Sequence, residues 1–241
     1  MNGLEVVKFG SSQVANGAGL DRSRIEDHVS RIADIPKLIV VTSGAAAAGR
    51  ALYYAQEHEQ LPETLENQRY FAGLGCTVMF YAFEEAFRNL GRTAASYPIT
   101  HPDLDETNAM FLAAIDLNLQ RNTAVVVNEA DAFSDIELMK LKTGGENDGL
   151  ALHVARTFGA DRLTIVTNKG GLVDNDGRLI EVVNQDNIAA VKEMVSERAG
   201  SEMGRGGIVV KTAICWEGAQ AGIQTQITNA DRTSSTQFVV G

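Results

Sequence analysis

Two lysines, Lys8 and Lys211, stand at opposite ends of the chain, each beside a glycine-rich turn. Lys8 ends the apolar run of Val6-Val7-Lys8-Phe9-Gly10-Ser11-Ser12, and Lys211 follows Gly204-Arg205-Gly206-Gly207 in a segment of helical spacing. Glycine lets backbone N–H groups approach an anion closely, and a neighbouring ammonium supplies charge, so each turn suits phosphate. Two such sites flanking one phosphoryl group make a kinase. The backbone at Gly10, Ser11, Gly206 and Gly207 is then expected around the phosphates. Both lysines are expected at a polar crevice, where their removal leaves folding intact.

The known single-motif phosphate sites do not explain this pattern. Neither G-x-x-x-x-G-K-[ST] nor G-x-G-x-x-G occurs, and the elements of metalloproteases, EF-hands, serine hydrolases and protein kinases are missing as well. Composition narrows the classes further. With 241 residues, 44% hydrophobic and 22% charged, the chain can bury a sizeable core, and no linker-like stretch divides it. A single domain over 1–241 is expected. A net charge of −10 opposes attraction to nucleic acid or to an anionic membrane. The start Met1-Asn2-Gly3-Leu4-Glu5 has no basic or hydrophobic leader, so a cytoplasmic location is expected. Cys76 and Cys215 read as core residues, and the 4 histidines lie at no ligand spacing, so no protein-ligated metal is expected.

Short apolar or β-branched runs predict strands at 4–8, 37–41, 93–97, 124–128 and 162–167. Helical patterns fall at 21–34, 45–56, 63–90, 104–120 and 147–159. The alternation predicts an α/β fold with a largely parallel sheet covered by helices. Ligands of such sheets bind beyond the carboxyl ends of the strands, where Lys8, Ser43, Gly44, Asn128, Thr167 and Asn168 all fall. Further along, a hairpin is predicted around 174–182, helices near 187–198 and 206–221, and strands near 224–228 and 236–240. Ile208, Thr212, Cys215 and Ala219 form the packing face of the last helix, with Lys211 off it. The 63–90 helix carries Phe71, Leu74, Val78 and Tyr81 at helical spacing, together with Phe80, Phe83 and Phe87, a stripe that suits a core or a dimer interface.

Several residues have a structural reading beside the chemical one. Asn147 and Asp148 open the apolar-periodic helix of Leu150, Val154 and Phe158, so either fits an N-cap. Ser43 fits a cap as well as an anion site, and Asn128 fits a turn closure.

The segments around Lys8, Val41-Thr42-Ser43-Gly44-Ala45-Ala46-Ala47-Ala48-Gly49-Arg50, Val127-Asn128-Glu129-Ala130-Asp131, Gly145-Glu146-Asn147-Asp148 and Gly206-Gly207-Ile208-Val209-Val210-Lys211 occur in order. Together they resemble the motifs of the amino acid kinase family, in particular its members that phosphorylate free glutamate, and the resemblance covers nearly the whole chain. It implies a three-layer αβα sandwich with an open, mainly parallel sheet, its N-terminal part serving the substrate and its C-terminal part the nucleotide. It also implies phosphoryl transfer from ATP to the side-chain carboxylate of L-glutamate. In similar kinases Lys8 and Lys211 contact the phosphates, Asp148 orients both lysines, and Thr167 and Asn168 lie at the nucleotide. Ser43, Gly44, Asn128, Asp131 and Asn147 are implied at the amino acid, with Asp131 on its ammonium group. Mg²⁺ is implied as the nucleotide's counter-ion, held mainly by phosphates, and a homo-oligomer, dimer or tetramer, is implied as well.

The chain departs from the pattern at Ala130, where an asparagine is usual, at Asn168, where an aspartate commonly follows the threonine, and at Arg205, where a small residue is usual. The stretch between Asp131 and Gly145 is longer than usual. The last residues fall near where the kinase domain is expected to end, so no C-terminal PUA domain is expected. Other readings are a kinase of another carboxylic acid on the same fold and a non-catalytic sensor. A sensor would be expected to lose Lys8, Asp148 or Lys211, and all three are present.

Overall fold

A computed structural model describes residues 3–130, 132, 146–201 and 206–240. By their contacts the residues cluster into two units, one made of Met1–Lys8 with Lys140–Gly241 and the other of Phe9–Met139.

In the unit built from both chain ends, the strands Val182–Val183, Ser235–Phe238, Gln224–Thr228, Arg162–Val166 and Leu4–Phe9 lie side by side in that order. Gln224–Thr228 runs parallel to Arg162–Val166, and Ser235–Phe238 runs antiparallel to Gln224–Thr228. Leu163, Ile165 and Ile227 are buried, and the helices Glu146–Thr157 and Gly206–Gln220 pack on these strands. Of the packing face expected of the last helix, Thr212, Cys215 and Ala219 are buried, whereas Ile208 is only half-buried. Thr225 Oγ1 donates to Cys215 O at 2.6 Å, which satisfies a buried hydroxyl at the helix–strand contact.

A polar row crosses the same strands. Thr164 Oγ1 donates to Glu5 Oε1 at 2.7 Å and accepts from Gln226 Nε2 at 3.0 Å. Arg232 adds a bond of 2.9 Å to Glu5 Oε1. Thr164 therefore interrupts an apolar strand without leaving an unsatisfied group.

In the other unit the strands Lys37–Thr42, Ala124–Glu129 and Ala94–Ile99 are adjacent in that order and all parallel. The register pairs Val41 with Val127, which brings the carboxyl ends of these two strands level. At the other end the buried Arg92 donates to Ala33 O and Ile35 O at 2.6 Å each and to Pro36 O at 3.0 Å, tying the entry to Lys37–Thr42. The helices Ala45–Glu57 and Leu65–Asn89 touch backbone to backbone. A Cβ on Gly75 would lie 2.0 Å from Ala45 O, and one on Gly49 would lie 1.8 Å from Phe71 O. Only glycine permits that approach, and it fixes where the helix after Ser43-Gly44 begins.

The stripe on Leu65–Asn89 divides in two. Phe71, Phe80, Phe83 and Phe87 are buried, whereas Leu74 and Tyr81 are 39% and 45% exposed. The expected helix at 104–120 starts later. Thr100 and Asp103 form a capping box ahead of the 3₁₀ turn His101–Leu104, a second turn follows at Glu106–Asn108, and the α-helix is Ala109–Gln120. The hairpin begins and ends earlier than expected, pairing Leu172–Val173 with Leu179–Ile180, while Val182–Val183 pairs with Ser235–Phe238. Cys215 is buried as expected, but Cys76 is half-buried. Among the described residues no helix is long and apolar enough to cross a membrane.

Candidate functional site

Every residue of the strand Leu4–Phe9 is buried, and the apolar Leu4, Val6 and Val7 carry a lysine into the interior with them. A buried ammonium needs a partner. Lys8 Nζ lies 2.6 Å from Asp148 Oδ1. Asp148 is in the first turn of the helix Glu146–Thr157, where the helix dipole favours a carboxylate, and it is fully buried. Its second oxygen, Oδ2, accepts from Lys211 Nζ at 2.8 Å. Lys211 comes from the helix Gly206–Gln220 and also reaches Gly207 O at 3.4 Å. Two lysines more than two hundred positions apart thus share one carboxylate.

Burial alone would raise the Asp148 carboxyl, but the charges of Lys8 and Lys211 and their hydrogen bonds outweigh it and hold its pKa below the ordinary value. Asp148 is a fixed counter-charge at neutral pH, not a proton carrier. Burial pushes the Cys215 thiol well up, and the charge of Asp148 adds to the effect, so this cysteine is no nucleophile. Lys211, with a side chain 19% exposed, fits the expected polar crevice. Lys8 does not. It is 5% exposed, because its strand is covered along its whole length, and its removal must disturb the interior.

Thr167, Asn168, Gly207 and Lys211 line one cleft of about 340 Å³ in the same unit. Thr167 Oγ1 accepts from Gly170 N–H at 3.2 Å, which closes the turn carrying Asn168 and Lys169. The rest of the wall is largely apolar, from Leu172, Val173, Val195 and Ile208. The sequence reading missed Val195 and Arg198 here. A signal was available: Ile188, Val191 and Val195 are a buried stripe at spacings of three and four, and position 198 continues it.

The other unit holds Ser43, Gly44, Asn128, Gly10 and Ser11. Gly44 caps the helix Ala45–Glu57 at φ 113, and a Cβ there would stand 2.9 Å from Val14 Cγ2. Ser43 N–H donates to Phe9 O at 3.2 Å. Asn128 Nδ2 donates to Thr42 O at 2.8 Å, so this side chain ties two neighbouring strand ends together instead of closing a local turn. Gly10 precedes the short helix Ser11–Val14, whose backbone is braced from the helix Arg22–Ser30. Arg24 Nη1 donates to Ser12 O at 2.9 Å, and His28 Nε2 donates to Gln13 O at 3.0 Å. Asn147 is buried next to Asp148 in the chain. Asp131 and Arg205 lie outside the described residues.

His28 stacks on Phe9 with ring centroids 4.7 Å apart, and its burial lowers its pKa below 6.5 despite the bond to Gln13 and the nearby charge of Asp27. Arg24 and Arg31 push in the same direction as burial. The depressed folded value means that, as pH falls below about 6.5, the unfolded chain takes up a proton the folded chain refuses. Stability therefore declines on acidification from that point. The expected result is a lower urea midpoint at pH 5.5 than at pH 7.5, with a smaller difference in His28→Gln. Equal differences in the two proteins would assign the pH dependence elsewhere.

A model of the amino acid kinase family matches residues 3–229. Glutamate 5-kinase of Haemophilus influenzae (strain PittEE) is 30% identical over 242 residues, a match covering 94% of this chain and 63% of that protein. The chain therefore spans less than two thirds of that relative's length. Among solved structures, carbamate kinase from Giardia lamblia bound to AMP-PNP aligns with a TM-score of 0.65 at 16% identity, covering 100% of both chains. UMP kinase from Ureaplasma parvum aligns with a TM-score of 0.57 at 13% identity, covering 98% of each. These structural likenesses bear on the fold.

Proposed function

The chain belongs to the amino acid kinase family, and from that premise we propose that it transfers the γ-phosphoryl group of ATP to the side-chain carboxylate of L-glutamate. The observation that carries the reading is the buried Lys8–Asp148–Lys211 arrangement, which fixes two ammonium groups on one carboxylate. Identity to glutamate 5-kinases over most of this chain supports the choice of acid. The reading treats the chain as one kinase domain, with its N-terminal part serving the acid and its C-terminal part the nucleotide. A dimer or tetramer in the cytoplasm completes it.

A carboxylate with a reference pKa of about 4.3 is already ionised at neutral pH, so no general base is required. One of its oxygen lone pairs forms the new P–O bond. The bond from the γ-phosphorus to the bridging oxygen breaks, and its electrons leave on ADP. The chain's task is to align two anions and offset their repulsion. Lys8 and Lys211 supply positive charge, with the backbone at Gly10, Ser11, Gly206 and Gly207 around the phosphates. Asp148 holds both ammonium groups in place before the nucleotide arrives, so little reorganisation remains at the transition state. Thr167 and Asn168 belong to the nucleotide, and Ser43, Gly44, Asn128, Asp131 and Asn147 to the acid.

Mg²⁺ fits this arrangement as a companion of the nucleotide. Asp148 engages both of its oxygens with lysines, and among the described residues no cluster of His, Cys, Asp or Glu is set to hold a metal. When bound to the phosphates, the ion screens their charge.

Hydroxylamine trapping across glutamate, N-acetylglutamate, aspartate and simple dicarboxylates tests the acid. Glutamate should give the strongest hydroxamate signal. N-acetylglutamate should react at least about tenfold less well, because acetylation removes the charge-assisted contact proposed for Asp131. A strong signal with another acid and none with glutamate would keep the kinase and discard this substrate. Silence across the panel, with ATP still bound, would favour a sensor.

A further inference from the structure

We propose that Arg198 is a positioning residue for the nucleotide, setting the width of the cleft that ends at Lys211. The proposal rests on the reading of that cleft as the nucleotide site. One wall of the cleft comes from the hairpin, through Leu172 and Val173, and another from the helix Ile188–Ser201, through Val195 and Arg198. Arg198 bridges the two. Its Nη1 donates to Val173 O at 2.7 Å, and its Nη2 donates to Asp174 O and, at 3.0 Å, to Asn175 Oδ1.

The hairpin needs such a clamp. Leu172–Val173 and Leu179–Ile180 form a two-stranded sheet of their own, and a ribbon that short is marginal in water. Its base is tethered, because Thr236 Oγ1 accepts from Leu172 N–H at 2.7 Å and donates to Ile180 O at 2.6 Å. Its turn is closed internally by Asp174, whose Oδ1 accepts from Asp176 N–H and Arg178 N–H at 2.9 Å each. Neither device holds Val173 at a fixed distance from the helix that carries Val195. The guanidinium does, since its planar fork reaches successive carbonyls in one geometry that a flexible ammonium cannot reproduce.

The volume of about 340 Å³ and the apolar walls suit the base of a nucleotide more than the whole molecule, with the phosphates directed towards Lys211. A wall that drifts outward would loosen the base and leave the reacting phosphate's contacts unchanged. Arg198 therefore governs nucleotide affinity and not the chemical step.

The test compares wild type, Arg198→Ala and Arg198→Lys for calorimetric binding of Mg²⁺–AMP-PNP and for steady-state kinetics. Arg198→Ala should weaken AMP-PNP binding and raise KM for ATP at least about tenfold, with kcat and KM for the acceptor acid within about threefold. Arg198→Lys keeps the charge and the stem, so it reads the same role if the alanine variant fails to fold, and it should still bind AMP-PNP at least about threefold more weakly than wild type. Binding by both variants within about twofold of wild type would overturn the role of Arg198 alone. A wild-type protein that binds no AMP-PNP would overturn the nucleotide reading of the cleft and the proposal with it.

Discussion

Lys211→Ala should lower kcat at least about a hundredfold while the protein stays folded. In the proposed reaction its ammonium offsets charge that develops between the donor and acceptor anions, and losing one preorganised contact of this kind costs about that much. The side chain is 19% exposed, its helix is anchored by Thr212, Cys215 and Ala219, and Asp148 keeps its 2.6 Å contact with Lys8, so truncation leaves no void in the interior and costs less stability than at Lys8. Lys8→Ala should lose turnover on the same scale, but with a measurable loss of stability. Lys8 is 5% exposed, and its loss leaves a void beside a buried carboxylate that keeps only Lys211. That cost should be about 1–3 kcal/mol. Urea unfolding alongside kcat separates the two lysines. Near-wild-type turnover in a folded variant would remove that lysine from the mechanism.

Where apolar runs were unbroken, strands could be read from the sequence. Ala124-Val125-Val126-Val127 lies in the buried strand Ala124–Glu129, and the expected bounds differ from it by a single residue. The segment after Thr100 was less legible, because a capping box and Pro102 impose two 3₁₀ turns before a helix whose apolar spacing extends into them. The lysines were recognisable from their glycine neighbours, but the burial of Lys8 was not. Its neighbours in the chain suggested a turn, whereas its surroundings are set by a carboxylate 140 positions away. Arg198 was passed over for the opposite reason: a long charged side chain reads as a solvated one, even at the end of the stripe Ile188, Val191 and Val195. Two of its partners, Val173 O and Asp174 O, are backbone carbonyls, which carry no sequence signature. Asn128 closes no local turn, because its amide bonds to Thr42 O on the neighbouring strand, a pairing that no local sequence pattern reveals.

Asp148→Ala should be the most damaging single change, because it affects both lysines at once. Without the carboxylate, the almost fully buried Lys8 ammonium would lose the counter-charge 2.6 Å away, and breaking a buried pair from one side costs about 3–5 kcal/mol. Lys211 would lose the 2.8 Å bond that aims its head, leaving it free to follow solvent. Turnover should fall as far as in the Lys8→Ala/Lys211→Ala double variant, and adding Asp148→Ala to that double should lower it little further, since groups acting as one unit are not additive. Asp148→Asn keeps the shape but not the charge. It should recover part of the lost stability and little of the turnover, because the amide cannot balance two ammonium groups. Stability comes from urea unfolding at pH 7.5, where the wild-type carboxyl, its pKa held below the ordinary value, is fully ionised. If Asp148→Asn turned over at the wild-type rate, the shared carboxylate would be a folding device alone, and the two lysines would act without it.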